Sequence, residues 1–498
     1  GLSRSTHGLH WRYSIAMRQI FFTVLVYLSL AIVITWPAAV ELGVSIPGAE
    51  RTDTWNSYWG IHHVTESLLS GTVPISTQLI NFPNGGTLMV NDPLGVLIAL
   101  PFAALFGTSV AYGLLVLLQM AFAGWTMHAF THAFLVRGLG DATPRWGPWV
   151  SGICLMISPL MVSHVHNGAT ETLSIGWTIM AIWMSWRFSV ERTVRSALIA
   201  ALCLGLASLA HWYGGIVAFV FAIALAVVGN GENRSFSPPA RWLAVVLGLM
   251  LTMPMAKGLW TIHQLEGSLT QIENPETVEQ MTRTIGSADP AVYFRPGRAV
   301  SPDFDKITSQ ERRYRHIHYL GLVGGFLTLW GFLRHRRKEF RFLALGAGAC
   351  LALSLGPVWV HGGRAVLFSG ELAVPLPYLL VEGLPGFGGL TMPWRFSLGP
   401  VIVVALMSGI VVNKMRLRTA IMVLALLCVD VRALSPSAEI DINLKLTPSP
   451  ALEALAEAPK GAVIHYPLKP GRPHLLAQTI HGKPVAATLD AADNARSK

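Results

Sequence analysis

A single aspartate lies just beyond the first long apolar stretch, in the polar segment GAERTDTWNSYWGIHHVTESLLSG. Asp53 precedes an amphipathic stretch, Tyr58 to Leu69, in which Trp59 suits a membrane interface. A carboxylate held at that level could take a proton from an acceptor hydroxyl or bind a metal ion. The alternative is that Asp53 or Thr54 only caps the helix that follows.

A second polar group lies in SPLMVSHVHNGATETLS, where a short loop is expected between two apolar stretches. Polar side chains at that depth are costly unless they are paired or face a cavity. His164 and His166 could donate to a phosphate, bind a divalent metal such as Mg²⁺ or Mn²⁺ together with Asp53, or simply cap two helices. Glu171 belongs to the same group. His211, in a tight turn further on, joins this layer, with an aromatic interfacial belt as the alternative.

Basic residues supply the third candidate group. Arg313 and Arg315 lie in RRYRHIHY, just before an apolar stretch, and Arg395 lies in GLTMPWRFSLG, where a loop enters another one. Such side chains could hold an anionic lipid phosphate by charge-assisted hydrogen bonds. The alternatives are a solvated loop end paired with nearby acids and, for Arg395, a side chain that extends to the interface.

Several common kinds of site find no support in the sequence. There is no GxxxxGK[ST], no GxGxxG after a strand and no GxSxG, so no recognisable motif binds a soluble nucleotide or forms a serine-hydrolase elbow. The 4 cysteines all lie in apolar stretches without CxxC or Cys/His spacing. They are therefore interpreted as core residues, with neither a disulfide nor a zinc site implied.

Composition indicates where these groups must be held. Of the residues, 52% are hydrophobic and 13% are charged, against roughly 25% charged in soluble domains. The net charge of +10 arises from short basic runs between apolar stretches. This pattern is typical of membrane-flanking loops, and no nucleic-acid partner is expected.

The apolar stretches predict an all-α polytopic membrane protein with about eleven spans, since about 20 residues cross the hydrocarbon layer. The predicted spans are 16–39, 110–136, 147–163, 170–186, 194–210, 214–229, 240–258, 318–333, 342–358, 397–413 and 418–434. Alternate loops are basic, the strongest being RHRRKEFR, which places them and the N-terminus in the cytoplasm and the C-terminus outside. Residues 94–107 are apolar but short and contain Pro101, so they are expected to be a re-entrant or interfacial element beside a cavity.

This topology divides the chain into two parts. Residues 1–434 form the transmembrane module, whose outer loops are 41–109, 259–317 and 359–396. Residues 435–498 form an extracytoplasmic tail with a helix, SPALEALAEAP, and a strand, GAVIHYPL. The tail is expected to be a small α/β segment of a protein that continues further.

Several segments, in this order, resemble the GT-C superfamily of polytopic glycosyltransferases and specifically its bacterial members. They are TWPAAVELG, DTWNSYWGIHHVTESLLSG, NFPNGGTLMVNDPLGVLIALPFAALFG, AYGLLVLLQMAFAGWTMHAF, SPLMVSHVHNGATETLSIGW, SADPAVYFRPG and LPGFGGLTMPWRFSLGPVIVVALMSG. The resemblance covers most of residues 20–435 and lies in the order and general composition of these segments.

The resemblance implies a glycosyltransferase in the bacterial inner membrane. Such enzymes move a sugar from a polyprenyl-phosphate donor to a lipid, glycan or protein acceptor at the outer face. Asp53 matches the acid of the first outer loop, which is catalytic or binds metal in the family, although it stands alone here without an Asp-x-Asp pair. His164, His166, Arg395 or the basic cluster would hold the departing phosphate.

Two other classes stay open. A lipid-linked glycan transporter could use the same cavity without chemistry, but it should place polar residues deep in its spans, and here most lie at the outer ends. A non-catalytic subunit of a membrane complex, with membrane lipids and other subunits as partners, would carry the same scaffold without an acceptor pocket.

Overall fold

The computed structural model describes residues 3–87, 92–229, 283, 286–295, 317–335, 338–362, 364–368, 372–384, 390–435, 442–447, 449–467 and 472–489. In the first half, the helices are α1 (Ser3–Ile34), α2 (Thr54–Leu69), α3 (Pro93–Phe106), α4 (Thr108–Ala133), α5 (Gly147–Met156), α6 (Pro159–Asn167), α7 (Thr170–Leu173), α8 (Ile175–Glu191), α9 (Val194–Ala210) and α10 (Trp212–Gly229). In the second half they are α11 (Leu322–Arg334), α12 (Lys338–Ser354), α13 (Leu379–Glu382), α14 (Leu398–Val412), α15 (Leu417–Val429), α16 (Pro450–Glu457) and α17 (Pro473–His481).

Short antiparallel strand pairs join the loops. They are β1 (Ser45–Ile46) with β8 (Leu444–Lys445), β2 (Ser76–Thr77) with β3 (Gly86–Thr87), β4 (Val360–His361) with β5 (Arg364–Ala365), and β6 (Leu367–Phe368) with β7 (Leu372–Ala373). In the first pair Ser45 lies opposite Lys445 and Ile46 opposite Leu444. This pair therefore ties the segment after α1 to the C-terminal tail.

The expectation of a helical, polytopic membrane protein is confirmed in its general form. Among the described residues, 4 helical segments are long and apolar enough to cross a membrane, namely Met17–Ile34, Thr108–Gly138, Gly147–Asn167 and Pro393–Val412. Shorter apolar helices accompany them at 93–106, 194–210, 212–228, 322–334 and 340–354. The count of eleven spans stays a prediction, and the span at 240–258 lies outside the described residues.

Two of the expected spans are interrupted, and both interruptions lie near the polar groups. The span expected at 147–163 lies within the apolar segment Gly147–Asn167, but its helix pauses after Met156 and restarts as α6 at Pro159, since proline lacks the N–H that a continuing helix needs. The Ser158 side chain caps that restart by accepting from Met161 N at 3.3 Å. Residues 164–167, expected to belong to a loop at 164–169, are thus helical. The span expected at 170–186 is also divided, into the short helix α7 and the longer α8.

The element at 94–107 is a regular helix, α3, rather than irregular backbone. Asp92 caps it, Pro93 occupies its first turn, and Pro101 is accommodated inside it. Gly95, Ala99 and Ala103, four residues apart, are buried on one face, while other apolar side chains of the helix are exposed. A helix of this length is too short for a full bilayer. Whether it is re-entrant or interfacial stays a prediction.

The C-terminal tail packs on the first loop. Helix α17 lies against α2, and the indole Nε1 of Trp59 donates to Gln478 Oε1 at 2.7 Å with both side chains buried. Backbone hydrogen bonds join Val485 N to Leu79 O at 2.8 Å and Asn81 N to Ala487 O at 2.9 Å. The helix expected in SPALEALAEAP is α16, whereas the strand expected in GAVIHYPL is reduced to one bridge, between Val463 and Val485.

A close backbone contact fixes the start of α2 against the end of α6. Ala49 N donates to His166 O at 2.9 Å, and Asp53 N donates to Asn167 O at 3.0 Å. Gly168 then ends α6 with φ of +65°, and a Cβ there would lie 2.1 Å from Thr54 Oγ1 and 2.6 Å from Thr54 Cα. Glycine is required both for its backbone conformation and for this approach.

We predict that Gly168→Ala destabilises the protein more than Gly140→Ala does. Gly140 also has a positive φ, +74°, but a Cβ there meets nothing within 4 Å. Both variants incur the left-handed backbone cost, about 1–2 kcal/mol, and Gly168→Ala adds a clash with a backbone atom. Thermal unfolding of both variants in one detergent should give the lower midpoint for Gly168→Ala. Equal midpoints would show that the α2–α6 contact is loose.

Candidate functional site

Asp53 does not use its carboxylate to cap α2. It occupies the N-cap position, but its side chain makes no capping hydrogen bond. The Oδ1 oxygen instead accepts from the guanidinium Nη1 of Arg472, which comes from the tail. The side chains of Asp53 and Arg472 are 26% and 12% exposed, so the ion pair is largely shielded from solvent but still reachable. The capping interpretation is therefore wrong for this side chain.

Glu171 forms a second acid–arginine pair close to the first. It lies in the short helix α7 and is buried, and its Oε1 is 3.7 Å from Arg395 Nη1. Burial raises the pKa of Glu171, while the positive charge of Arg395 opposes that rise. Asp53 raises this pKa further and Arg472 lowers it. Glu171 thus links Arg395 to the ion pair of Asp53 and Arg472, and we refer to these four residues as the acid–arginine cluster.

Arg395 is held by aromatic rings at the point where the chain enters α14. It belongs to a 3₁₀ turn, Pro393–Ser397, and its guanidinium carbon lies 5.4 Å from the centre of the Tyr213 ring and 5.6 Å from that of Trp394. Tyr213 Oη accepts from Met392 N at 2.9 Å, which fixes the turn. Arg395 Nε is buried and has no hydrogen-bond partner among the described residues.

Two predicted site residues, His164 and His211, lie close enough to Arg395 for its positive charge to act on their imidazole rings. The His211 ring also packs on the Tyr213 ring, with centroids 5.7 Å apart. Burial lowers the pKa of His211 well below its usual value, and Arg395 and His164 lower it further. The Nε2 atoms of both histidines are buried without a partner in the described part of the chain. Buried polar atoms are usually paired, so these nitrogens are available to a bound molecule or water.

The tautomer of His164 changes its expected role. His164 Nδ1 lies 3.0 Å from Thr172 O, and since a carbonyl only accepts, Nδ1 must carry the proton. In the neutral ring Nε2 is then an acceptor, suited to a hydroxyl group rather than to a phosphate oxygen. His164 can donate to phosphate only if it takes a second proton.

His164 and His166 lie two residues apart in α6, a spacing at which helical side chains point in different directions. Among the described residues, no group of three His, Cys, Asp or Glu side chains is arranged to hold a metal. Asp53 and Glu171 are paired with arginines instead. The metal set of Asp53, His164 and His166 therefore stays a prediction.

Two residues near this site, Asp92 and Arg472, carry no functional signal in the sequence pattern. Asp92 is buried; its Oδ1 accepts from Gly95 N at 2.7 Å and its Oδ2 accepts from Gln119 Nε2 at 3.0 Å. Burial raises the pKa of Asp92 to about 7, the hydrogen bonds to Gly95 and Gln119 oppose the rise, and the charge of Glu171 adds to it. The dipeptide Asp-Pro before an apolar run could have identified the cap, but not its proximity to Glu171.

Arg472 lies in PGRPH, which matches no functional motif. It is identified as a site residue only by its contact with Asp53 in the structure. Arg313 and Arg315, predicted to hold phosphate, lie outside the described residues.

Comparison with solved structures identifies the fold. The crystal structure of the Archaeoglobus fulgidus oligosaccharyltransferase in the apo form matches with a TM-score of 0.50 and 13% identity, over 93% of this chain and 64% of that one. AglB, an archaeal oligosaccharyltransferase from the same organism, in complex with an inhibitory peptide and a dolichol-phosphate, gives 0.52 and 12%, over 97% and 65%. The fold is that of the GT-C glycosyltransferases.

The resemblance seen in the sequence is thereby confirmed for the fold. The chain spans slightly less than two thirds of the length of both archaeal structures. ArnT from Cupriavidus metallidurans bound to undecaprenyl phosphate is more distant, with a TM-score of 0.43 and 15% identity over 80% of this chain and 62% of that one. Comparison of the sequence with protein-family models and with curated proteins finds no match.

We predict a pH-dependent stability that depends on Asp92. Because its pKa in the folded protein, about 7, exceeds the value of a free carboxyl group, the folded state binds the extra proton. This contribution is present at low pH and is lost as the pH rises towards 7, by about 1.4 kcal/mol per pH unit. Unfolding at pH 5 and pH 7.5 should show a smaller loss for Asp92→Asn than for the wild type.

Asp141→Asn is the control, because Asp141 Oδ2 also accepts from an amide, Asn413 Nδ2 at 2.8 Å, in a less buried setting. If Asp92→Asn and the wild type lose the same stability over this range, Asp92 is ionised in the folded protein and the assignment is incorrect.

Proposed function

We propose that the protein is a glycosyltransferase that takes a sugar from a polyprenyl-phosphate carrier and transfers it to an acceptor hydroxyl or amide. The observation that carries the proposal is the acid–arginine cluster. In it Glu171 interacts both with Asp53, a reachable carboxylate, and with Arg395, whose Nε has no partner among the described residues. The fold supports it, since the similar AglB structure contains a dolichol-phosphate.

Arg395 has the properties of a phosphate-binding residue. Its separation from Glu171, 3.7 Å, is longer than a charge-assisted hydrogen bond. A phosphate oxygen could therefore take the Nη and Nε donors without first breaking a tight pair. The rings of Tyr213 and Trp394 hold the guanidinium plane in place, which lowers the entropy cost of binding.

The reaction follows as a single displacement. The acceptor oxygen or nitrogen attacks the anomeric carbon, and its proton passes to a carboxylate oxygen of Asp53. The bond between the anomeric carbon and the phosphate oxygen breaks, and its electron pair leaves with the lipid phosphate, whose charge Arg395 stabilises. Phosphate is a good leaving group, so no general acid is needed. The configuration at the anomeric carbon inverts.

The neutral histidines suit the sugar. His164 Nε2, as an acceptor, can take a hydrogen bond from a sugar hydroxyl beside the phosphate, and His211 Nε2 lies in the same layer. Hydrogen bonds to specific hydroxyls discriminate strongly between sugars, because the analogue that lacks the group leaves a buried partner unpaired.

The proposed orientation places the cluster at the outer face of a bacterial inner membrane, with the N-terminus in the cytoplasm. Helices α4 and α8 start at the level of the cluster and end at the opposite side, where Arg137 Nη1 and Arg187 Nε bind Glu191 at 2.5 Å and 2.8 Å. Arg137 and Arg187 lie at or just beyond the far ends of these helices, and the positive-inside rule favours the cytoplasm for them.

We predict that Asp53→Asn lowers the rate of sugar transfer by at least about a hundredfold, the usual contribution of a general base. The assay uses the full chain in lipid nanodiscs with undecaprenyl-phosphate-linked hexoses and pentoses labelled in the sugar, and a membrane extract as the acceptor source. The rate is the loss of label from the undecaprenyl-phosphate donor, separated from other lipids by chromatography.

Glu191→Gln is the matched control, since Glu191 is also an acid paired with arginine but lies at the other end of the helices. Its rate should equal that of the wild type. Full activity in Asp53→Asn would show that Asp53 is not the base.

A further inference from the structure

Arg472 is paired with the carboxylate of Asp53, which the proposed reaction needs as the proton acceptor. Its Nη1 donates to Asp53 Oδ1, and its Nε donates to Leu489 O at 3.2 Å. While that pair exists, one acceptor position of this oxygen is taken, and an acceptor hydroxyl must share the carboxylate with the guanidinium. An arginine in this position therefore either keeps Asp53 inactive or must be drawn away when the substrate binds.

The tail that carries Arg472 is firmly held. Helix α17 starts immediately after it and is anchored on α2 by the buried bond between Trp59 and Gln478, 2.7 Å long. Leu475 N also donates to Arg472 O at 3.0 Å. Since the backbone on the C-terminal side is fixed, a change of partner needs only a movement of the side chain.

Left-handed backbone conformations lie on both sides of the ion pair. Arg472 has φ of +61°, and Arg51, two residues before Asp53, has φ of +67°. Such conformations are unfavourable for residues with a Cβ and persist where surrounding contacts impose them, often at functional sites. The two chain segments are thus held in the geometry that brings the guanidinium to Asp53.

The charge balance favours an anion as the competing partner. Two carboxylates and two guanidinium groups make the acid–arginine cluster neutral, and Arg472 acts on Glu171 as well as on Asp53. A phosphate adds negative charge, which draws the guanidinium groups towards it. A guanidinium fork matches a phosphate in two-point geometry.

We propose that Arg472 is a second phosphate-binding residue, which exchanges Asp53 for the phosphate of the lipid-linked donor and so frees Asp53 when the donor is bound. This rests on the proposed function and adds to it the tail as part of the binding site. Arg395 and Arg472 then hold the phosphate from two sides. Asp53 accepts a proton only while a donor is present.

The test is a mutant cycle on binding of undecaprenyl phosphate, measured by native mass spectrometry of the full chain in detergent. Arg472→Gln should weaken binding at least about tenfold, as expected for loss of a charge-assisted contact. Asp53→Asn should tighten binding about tenfold, because the competitor for Arg472 is removed. In the double variant most of that gain should be lost.

Arg137→Gln is the control, since Arg137 also pairs with an acid but at the opposite end of the helices. It should bind as the wild type does. Arg472→Lys keeps the charge without the fork and should bind with intermediate affinity; if Arg472→Gln disturbs the tail, the cycle is completed with Arg472→Lys.

The outcomes separate the two proposals. An equal gain from Asp53→Asn with and without Arg472 overturns the exchange but leaves the lipid-phosphate site intact. If the wild type does not bind undecaprenyl phosphate, the proposed function fails and the exchange fails with it. Displacement of the lipid by an equal concentration of inorganic phosphate would show that free phosphate, not a lipid carrier, is the ligand.

Discussion

Ionised side chains at the ends of apolar helices are stable only when each has a partner of opposite charge or strong hydrogen bonds. The acid–arginine cluster meets this requirement with residues from four separate parts of the chain. Asp53 precedes α2, Glu171 lies in α7, Arg395 lies in the turn before α14, and Arg472 precedes α17. The pairing of these charges therefore brings the first loop, the helical bundle and the tail to one place.

The interruptions of the helices serve the same arrangement. A continuous helix over 147–167 or 170–191 would carry its polar residues along a straight rod, whereas the restarts at Pro159 and Ile175 place short turns at the level of the cluster. Gly168 then lets the first loop approach closely enough for Asp53 N to reach Asn167 O. Irregular backbone at this depth is tolerated because other protein segments cover it.

Much of the helical framework could be predicted, since apolar length and basic flanks are local signals. Asp53, Glu171, His211 and Arg395 could be predicted to lie at the same face of the membrane, because each is at or near the outer end of a predicted span. Their partners could not be predicted in this way. Arg472 is separated from Asp53 by 419 positions, and no local pattern encodes so distant a pairing.

The errors also have local causes. Residues 164–167, the end of α6, are expected in a loop because their histidines and asparagine resemble loop residues, while the helix that restarts at Pro159, capped by Ser158, continues through them. Asp92 could not be selected from the sequence, because the local pattern of a helix-capping aspartate does not show whether another buried acid lies near it. Its high pKa depends on burial and on Glu171, both of which are tertiary properties.

The central claim is that the acid–arginine cluster binds the phosphate of a lipid carrier. A cryo-EM map of the protein in lipid nanodiscs containing undecaprenyl phosphate tests it most directly. The account predicts phosphate density in contact with the Arg395 guanidinium, with the lipid chain leaving between helices into the bilayer. A map in which the lipid is bound elsewhere, with Arg395 still beside Glu171 and Arg472 still on Asp53, would contradict it.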